Sequence, residues 1–234
     1  MAGRGSLSEH TPIKNPNAFV LRNGRWQEMH TPIVWDRPFS GSSLAENFAD
    51  LCQKEYKTNI GLIPCADGGT SLDQWQPGEL LFDHAVAISK LAQRTSTIAG
   101  VLWHQGESDC SPHLADLYEE KCLRIFEALK KELNIDVPFL IGGLGDFLAE
   151  CENWPECKNY RAVNQALESM AEKNDYISFV SAKGLTSNPD MLHFNAKSLD
   201  EFGTRYFEKF KAVNTIIVPD THSSAPKLSE MEKL

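Results

Sequence analysis

The stretch Ile98-Ala-Gly-Val-Leu-Trp-His-Gln-Gly-Glu-Ser-Asp109 decides the fold of this chain. Its first six residues, 98–103, are apolar or small, and the run stops abruptly at the polar stretch 104–107. A continuous apolar run bounded in this way is typical of a strand buried on both faces of a parallel sheet. In open parallel sheets, ligands bind beyond the carboxyl ends of the strands. We therefore expect residues 104–107 to lie at a functional edge, although they can also simply end a strand and cap the next helix.

The rest of the chain alternates short apolar runs with longer amphipathic segments. Further strands are predicted at 59–64, 137–142 and 176–181, and helices at 43–56, 80–93, 112–133, 160–173 and 196–212. This alternation predicts a three-layer α/β/α sandwich with a mainly parallel sheet.

The two ends of the chain differ from this pattern. Residues 1–42 are rich in Gly, Pro, Ser and Asn and are predicted to be irregular structure laid over a site, with a hairpin at Arg22-Asn-Gly-Arg25. Residues 213–234 show little apolar periodicity and are predicted to be a C-terminal tail that is either an edge segment or disordered. We expect one domain over residues 1–212.

Composition excludes several classes of function. The 234 residues carry a net charge of −9 and no Lys/Arg-rich run, which argues against a nucleic-acid partner. No stretch approaches the ~18 consecutive apolar residues of a membrane span, so no membrane partner is expected. The sequence leaves the oligomeric state open.

The six cysteines are scattered and form no CxxC pair, which argues against a zinc site. We expect reduced thiols, as in a cytoplasmic protein. Cys151 and Cys157 flank a short loop and can form a disulfide if the protein enters an oxidising compartment. A signal peptide upstream of Met1 would change the expected location.

The predicted strand at 176–181 is followed by a loop that contains Asn188–His193, in which an Asp stands three residues before a His. In one turn, Asp190 can accept a hydrogen bond from one imidazole nitrogen of His193 and leave the other nitrogen facing a nucleophile. A histidine held in this way acts as general base and then general acid in acyl transfer. Taken alone, this spacing is also common in surface turns.

Two other loops offer hydrogen-bond donors for a developing oxyanion. Gly68 and Gly69 let backbone N–H groups approach a ligand because they have no Cβ. Such donors are worth ~3 kcal/mol each in other hydrolases. Gln105 can supply a side-chain amide to the same oxyanion. The alternatives are a tight turn with positive φ for the glycines, and a hydrogen bond to the loop backbone for Gln105.

Together these stretches resemble the sialate O-acetylesterase-like group, carbohydrate esterase family six, of the SGNH hydrolase superfamily. The residues that carry the resemblance are Gly61–Ser71, Trp103–Asp109 and Asp190–Phe194, with support from Arg22–Trp26 and Asp36–Ser42. The resemblance spans roughly residues 1–212.

The resemblance implies a flavodoxin-like sandwich and a serine esterase that removes acetyl groups from sugars or other small acetyl esters. It implies His193 as the base, Asp190 as the residue that orients it, and the Gly69 N–H and the Gln105 side chain as oxyanion donors. Gly106 and Glu107 belong to the same motif, and we expect Glu107 to brace the site. No cofactor and no metal are implied.

The chain departs from the family at its start. The nucleophilic serine of the family lies in a Gly-Gln-Ser-Asn-Met-Ala-Gly-Arg-Gly segment after the first strand, whereas this chain opens at Met1-Ala-Gly-Arg-Gly5. We therefore expect the nucleophile and the first, central strand to lie in about ten residues upstream of Met1. Without that strand, buried N–H and C=O groups would stay unpaired at ~1–3 kcal/mol each. Ser42, Ser71 and Ser108 are the alternative nucleophiles within the chain.

Two further interpretations remain open at this stage. The chain can be a catalytically silent carbohydrate-binding protein that retains the cleft, and in either case Trp26, Trp35 and Trp75 can stack on sugar rings or pack the N-terminal region. The second interpretation is a metal site built from four residues of suitable ligand type: His104, Glu107, Asp190 and His193.

Overall fold

The structure, a computed structural model, describes residues 3–217. The strands are β1 (Ala18–Arg22), β2 (Arg25–Glu28), β3 (Ile60–Leu62), β4 (Val101–Trp103), β5 (Phe139–Gly142) and β6 (Ile177–Val180). The α-helices are α1 (Leu44–Tyr56), α2 (Leu80–Ala92), α3 (Pro112–Asp116), α4 (Tyr118–Leu133), α5 (Tyr160–Lys173) and α6 (Ala196–Val213). Short 3-10 turns cover Leu72–Trp75, Glu107–Asp109, Asp146–Glu150 and Pro155–Asn159.

The strands form two three-stranded sheets. The first has the order β2-β1-β3, in which β1 is antiparallel to β2 and parallel to β3. The second has the order β4-β5-β6, and both of its pairings are parallel. The predicted mainly parallel α/β architecture is confirmed.

Alternate residues of β5 show how the helices cover the sheet. Phe139 and Ile141 pack into the cluster formed by α2, α4 and α5, whereas Leu140 packs into the cluster formed by α1 and α6. Successive side chains of a strand point to opposite faces, so helices lie on both faces. This is the predicted three-layer arrangement.

The N-terminal region is more regular than the sequence predicts. The hairpin at residues 22–25 is confirmed: Asn23 and Gly24 both have positive φ, 52° and 75°, as a type I′ turn requires. However, the interpretation of residues 1–42 as irregular misses β1, whose residues Ala18–Leu21 are buried in the middle of the first sheet. The run is only five residues long and follows Pro and Asn, so its pairing with β3, some forty residues away, carries no local signal.

Helix bounds agree closely with the predicted ones, with one exception. The segment predicted as one helix over 112–133 is broken at Leu117, which lies between α3 and α4 with φ −97° and ψ 0°. None of the helices in residues 3–217 is long and apolar enough to cross a membrane. Most of the predicted C-terminal tail lies outside the described residues.

A large cavity lies between β3 of the first sheet and β4 of the second. Residues of β3 and β4, together with the segments that precede both strands, line a cavity of about 1310 Å³. Within residues 3–217, β3 pairs only with β1, and β4 pairs only with β5. In β3, Gly61 is exposed and Leu62 is half-buried, and the first two residues of β4 are half-buried, whereas every residue of β5 is buried. The opening between β3 and β4 therefore separates the two sheets.

Candidate active site

A tight turn before α6 brings Asp190 and His193 together. The N–H of Asn188 donates to the carbonyl of His193 at 2.7 Å and closes the turn. His193 Nδ1 lies 2.7 Å from Asp190 Oδ2, and Asp190 Oδ1 accepts the backbone N–H groups of Leu192 and His193 at 2.9 and 3.0 Å. The predicted contact between these two side chains is present.

The electrostatics of the pair suit a charged carboxylate. Partial burial acts to raise the pKa of Asp190, but hydrogen bonds from His193 and from the Leu192 N–H outweigh it and hold the pKa below its ordinary value. Because Asp190 occupies Nδ1, only Nε2 of His193 remains to meet a reactant, and no group in residues 3–217 hydrogen-bonds it. His193 lines the cavity between the sheets. The pair can therefore accept a proton from a nucleophile in that cavity.

Asp36 connects three segments around the cavity. It forms two hydrogen bonds with the guanidinium of Arg4, at 3.0 and 2.5 Å, and accepts the N–H of Gly68 at 2.8 Å and the hydroxyl of Ser40 at 2.9 Å. The carbonyl of Arg4 in turn accepts the side-chain amide of Asn188 at 2.8 Å. Burial acts to raise the pKa of Asp36, but the Arg4, Gly68 and Ser40 contacts lower it to about 2. Asp36 thus fixes the glycine loop relative to the histidine turn.

The two glycines of the loop differ in their surroundings. Gly69 lines the cavity with φ 79°, and a Cβ built there would meet nothing within 4 Å; its role as an oxyanion donor stays a prediction. The N–H of Gly68 is already bound to Asp36, and a Cβ at Gly68 would collide with the Arg4 guanidinium. The prediction of Gly68 as an oxyanion donor is corrected: it is the glycine that lets Arg4 and Asp36 approach the loop.

Gln105 is also used inside the site. Its amide nitrogen donates to the carbonyl of Thr70 at 3.0 Å and to Asp109 at 2.5 Å, and its amide oxygen accepts the hydroxyl of Tyr118 at 3.2 Å. Both N–H bonds are therefore occupied. The structure corrects the predicted oxyanion role of Gln105 to the alternative one, in which it ties the glycine loop to the loop after β4.

The next two residues of the motif have different roles. Gly106 is buried with φ 155°, a Cβ there would press on Val163 and Leu144, and it does not line the cavity. Its predicted part in substrate binding is corrected to close packing. Glu107 does line the cavity and lies 3.4 Å from His104 Nε2. Burial acts to raise the pKa of Glu107, but His104 outweighs it and lowers the pKa to about 2.

Two of the three tryptophans that the sequence names as possible sugar-stacking residues line the cavity, but both are almost fully buried. Trp26 and Trp75 are each only 7% exposed and belong to the core, and Trp35 is exposed but lies outside the cavity lining. Phe39 and Trp154 do line the cavity and are 67% and 48% exposed. Phe39 stands in the stretch Asp36–Ser42 and Trp154 stands in none of the stretches that carry the resemblance, and it is their exposure that distinguishes both from the core aromatics.

The alternative nucleophiles are poorly placed in this structure. Ser42 is fully buried, and Ser71 begins the 3-10 turn Leu72–Trp75; neither lines the cavity. Ser108 is exposed and lines it. Among the described residues, no serine hydroxyl hydrogen-bonds His193. The same part of the chain has no group of three or more His, Cys, Asp or Glu side chains that suits a metal ion, so the proposed four-residue metal site has no support.

The chain is similar to a known protein family over most of its length. Residues 1–212 match the family described as carbohydrate esterase, sialic acid-specific acetylesterase. The chain belongs to this family. By membership it is an esterase, and the resemblance seen in the sequence is confirmed.

Individual relatives of this carbohydrate esterase agree. A probable carbohydrate esterase from Arabidopsis thaliana is 28% identical over 230 residues, covering 87% of this chain and 83% of the relative. An X-ray structure of an Arabidopsis thaliana protein matches with a TM-score of 0.82 at 25% identity, covering 91% of this chain and 93% of the other.

More distant structures share the fold. The protein NanS matches with a TM-score of 0.71 at 15% identity, covering 90% of this chain and 92% of that protein. A carbohydrate acetylesterase from Xanthomonas citri matches with a TM-score of 0.62 at 14% identity, covering 84% of this chain and 48% of the other.

Proposed function

We propose that the protein hydrolyses acetyl esters of carbohydrates by serine-type acyl transfer, with His193 as base and Asp190 as the residue that orients it. The observation that carries the proposal is the Asp190–His193 pair, whose Nε2 is left open to a cavity. The Gly69 N–H at the same cavity is the candidate oxyanion donor. The family to which the chain belongs, and the acetylesterase named among its structural relatives, support an acetylated sugar as substrate.

The rim of the cavity supports a carbohydrate ligand. Sugar rings present C–H faces that pack on aromatic side chains, and Phe39 and Trp154 are 67% and 48% exposed there. Arg37 and Asp67 lie at the same rim and form an ion pair at 2.9 Å that can hydrogen-bond sugar hydroxyl groups.

The proposal includes a source for the nucleophile. We place the serine on a strand that precedes Gly3 and lies between β3 and β4, parallel to both. Three observations support this: the outer edges of both strands line the opening, the cavity exceeds the ~300–1,000 Å³ of an ordinary ligand pocket, and Gly3 and Arg4 lie in its wall. A strand joined to Gly3 would leave the opening on the side where His193 lies.

The test compares two forms of the protein against an acetylated sugar and a generic acetyl ester. One form is the 234-residue chain, and the other carries an added N-terminal strand ending in the Gly-Gln-Ser-Asn segment. We expect turnover from the extended form only, lost in His193→Ala and in the Ser→Ala variant of the added segment. The intact mass of the protein from its own source shows which form exists naturally.

Two other outcomes would decide against this proposal. Turnover by the 234-residue chain alone would place the nucleophile among its own serines, with Ser108 tested first. Sugar binding without turnover in both forms would favour a catalytically silent carbohydrate-binding protein. His193→Ala distinguishes these outcomes. The substitution should abolish turnover by an esterase, whereas sugar binding by a silent protein does not depend on a general base.

A further inference from the structure

Two cysteines from different segments meet beneath the loop that carries Glu107. Cys110 directly follows the 3-10 turn Glu107–Asp109, and Cys157 lies in the 3-10 turn Pro155–Asn159 between β5 and α5. The two thiol groups act on each other electrostatically: Cys157 raises the pKa of Cys110, and Cys110 lowers the pKa of Cys157. The side-chain amide of Asn159 donates to the carbonyl of Cys110 at 2.9 Å and holds the two segments together.

Each thiol also contacts the backbone of the active-site loop. Cys110 Sγ donates to the carbonyl of Gly106 at 3.4 Å, and Cys157 Sγ donates to the carbonyl of Glu107 at 3.5 Å. These two carbonyl groups are consecutive. The thiol pair therefore supports the part of the loop that places Glu107 in the cavity wall.

This pairing differs from the one that sequence proximity suggests. The sequence favours Cys151 as the partner of Cys157, because the two flank a short loop. Cys151 is instead a fully buried free thiol, and the side chain of Cys157 donates to the loop that Cys110 follows, 47 positions away from Cys110. The 3-10 turn that contains Cys157 turns its side chain toward the loop after β4.

We propose that Cys110 and Cys157 form an oxidation site at which a peroxide, or a small-molecule disulfide, converts the two thiols to an intramolecular disulfide. Access favours Cys157 as the first residue to react. It is 3% exposed and lines the same cavity as His193, whereas Cys110 is fully buried and lies outside the lining. An oxidant that enters the cavity meets the sulfur of Cys157.

The chemistry of the pair fits this order. The Cys110 thiol lowers the pKa of Cys157, whereas Cys157 and burial raise the pKa of Cys110. The Cys157 thiolate attacks one oxygen of a peroxide, an S–O bond forms, the O–O bond breaks, and a sulfenic acid and one water result. Cys110 then attacks that sulfur, the S–S bond forms and a second water leaves. In total the two thiols lose two electrons and two protons to the peroxide.

The disulfide would change the active-site loop. Once both sulfurs are oxidised, neither has an S–H to donate, so the carbonyls of Gly106 and Glu107 lose their thiol partners. The new bond also joins the loop covalently to the segment that carries Trp154. We expect the positions of the Glu107 and Trp154 side chains to differ between the oxidised and the reduced protein. The redox environment would then control the shape of the active-site loop.

Peptide mapping tests the proposal without any substrate, so its outcome is independent of the proposed esterase activity. The protein is treated with hydrogen peroxide, free thiols are blocked, and the chain is cleaved without reductant. Cleavage after Glu152 and Glu156, in addition to cleavage after Lys and Arg, places Cys151 and Cys157 on separate peptides. We expect a linked Cys110–Cys157 peptide that disappears on reduction.

Variants separate the expected pair from its competitor. Cys151→Ser is the matched control and should retain the link, whereas Cys110→Ser should lose it and instead accumulate over-oxidised Cys157. A linked Cys151–Cys157 peptide in the wild-type chain would overturn the proposal. So would an unmodified Cys157 at peroxide concentrations that oxidise Met191, which is half-buried and more exposed than Cys157. Because the decisive link is sought in the wild-type protein, misfolding of a variant does not obscure the result.

Discussion

At the scale of single residues, Asp190 uses both carboxylate oxygens to hold His193. Oδ1 accepts two backbone N–H groups and Oδ2 accepts from Nδ1. In Asp190→Asn, the backbone donors keep the amide oxygen at the Oδ1 position, so the NH₂ group faces Nδ1. The imidazole must then carry its proton on Nε2, which is the wrong tautomer for a general base. We expect turnover by the strand-bearing form to fall roughly 10²–10⁴-fold, with little change in melting temperature.

The matched control for this substitution is Asp136→Asn, at an exposed position away from the cavity. It should leave turnover unchanged. If Asp190→Asn retained full turnover, Asp190 would have no part in the mechanism, and the orienting group for His193 would have to be sought elsewhere.

Single residues also show what the sequence predicts well. The Asp190–His193 contact is local, three positions apart within one turn, and the spacing alone predicts it. Asp36 is different: its partners are Arg4, 32 positions away, and the Gly68 N–H, also 32 positions away. Nothing in its immediate neighbours indicates either contact. The sequence predicts Gln105 as an oxyanion donor because its actual hydrogen-bond partners Thr70 and Tyr118 are distant along the chain and are brought to it only by the fold.

At the scale of elements, the start of α1 depends on a buried carboxyl group. Glu46 Oε2 accepts the N–H and the hydroxyl of the N-cap residue Ser43 at 2.7 and 2.9 Å, and the side chain is almost fully buried. Burial raises the pKa of Glu46 from 4.5 to about 7, more than the Ser43 contacts lower it. The folded protein therefore binds a proton here that the unfolded chain releases. This contribution to stability is present below about pH 4.5 and is lost as the pH rises through 7.

Glu46→Gln should remove this pH dependence. The amide oxygen of Gln can still accept from Ser43, but the side chain never ionises. We expect the variant to be more stable than the wild type at pH 8, by roughly 1–3 kcal/mol, with the difference shrinking toward pH 4. Denaturant unfolding at both pH values measures it. Glu168→Gln, on the exposed face of α5, is the control, and an equal pH response in wild type and Glu46→Gln would disprove the assignment.

The sequence predicts the helices and strands more accurately than it predicts which strands pair in a sheet. The buried strands and amphipathic helices show in the hydrophobic periodicity, which is a property of neighbouring residues. β1 was missed because its five residues are set among turn-forming ones, and its place in the sheet depends on β3. The break at Leu117 was missed because the apolar pattern continues through it.

At the scale of the whole molecule, the two sheets present facing strand edges across one cavity. Edge strands with unpaired N–H and C=O groups readily accept another strand. If a strand preceding Gly3 fills this opening, its backbone pairs with both β3 and β4 and its side chains bury the half-exposed residues of those strands. Each backbone hydrogen bond contributes about 1 kcal/mol, so a four-residue strand paired on both sides adds several kcal/mol. That is a large share of the ~5–15 kcal/mol of a typical domain.

We therefore expect the 234-residue chain to melt at a lower temperature and less cooperatively than the chain extended by the strand. The control is an extension of equal length with Pro at each alternate strand position. Because Pro cannot donate to a sheet ladder, this extension should not stabilise the protein, and its melting curve should match that of the 234-residue chain. Circular dichroism melts of the three forms, with binding of a dye that reports exposed apolar surface, measure the difference. Cooperative melting of the 234-residue chain at the same temperature as the extended one would mean that the opening closes without a strand, and the nucleophile would then have to come from within the chain.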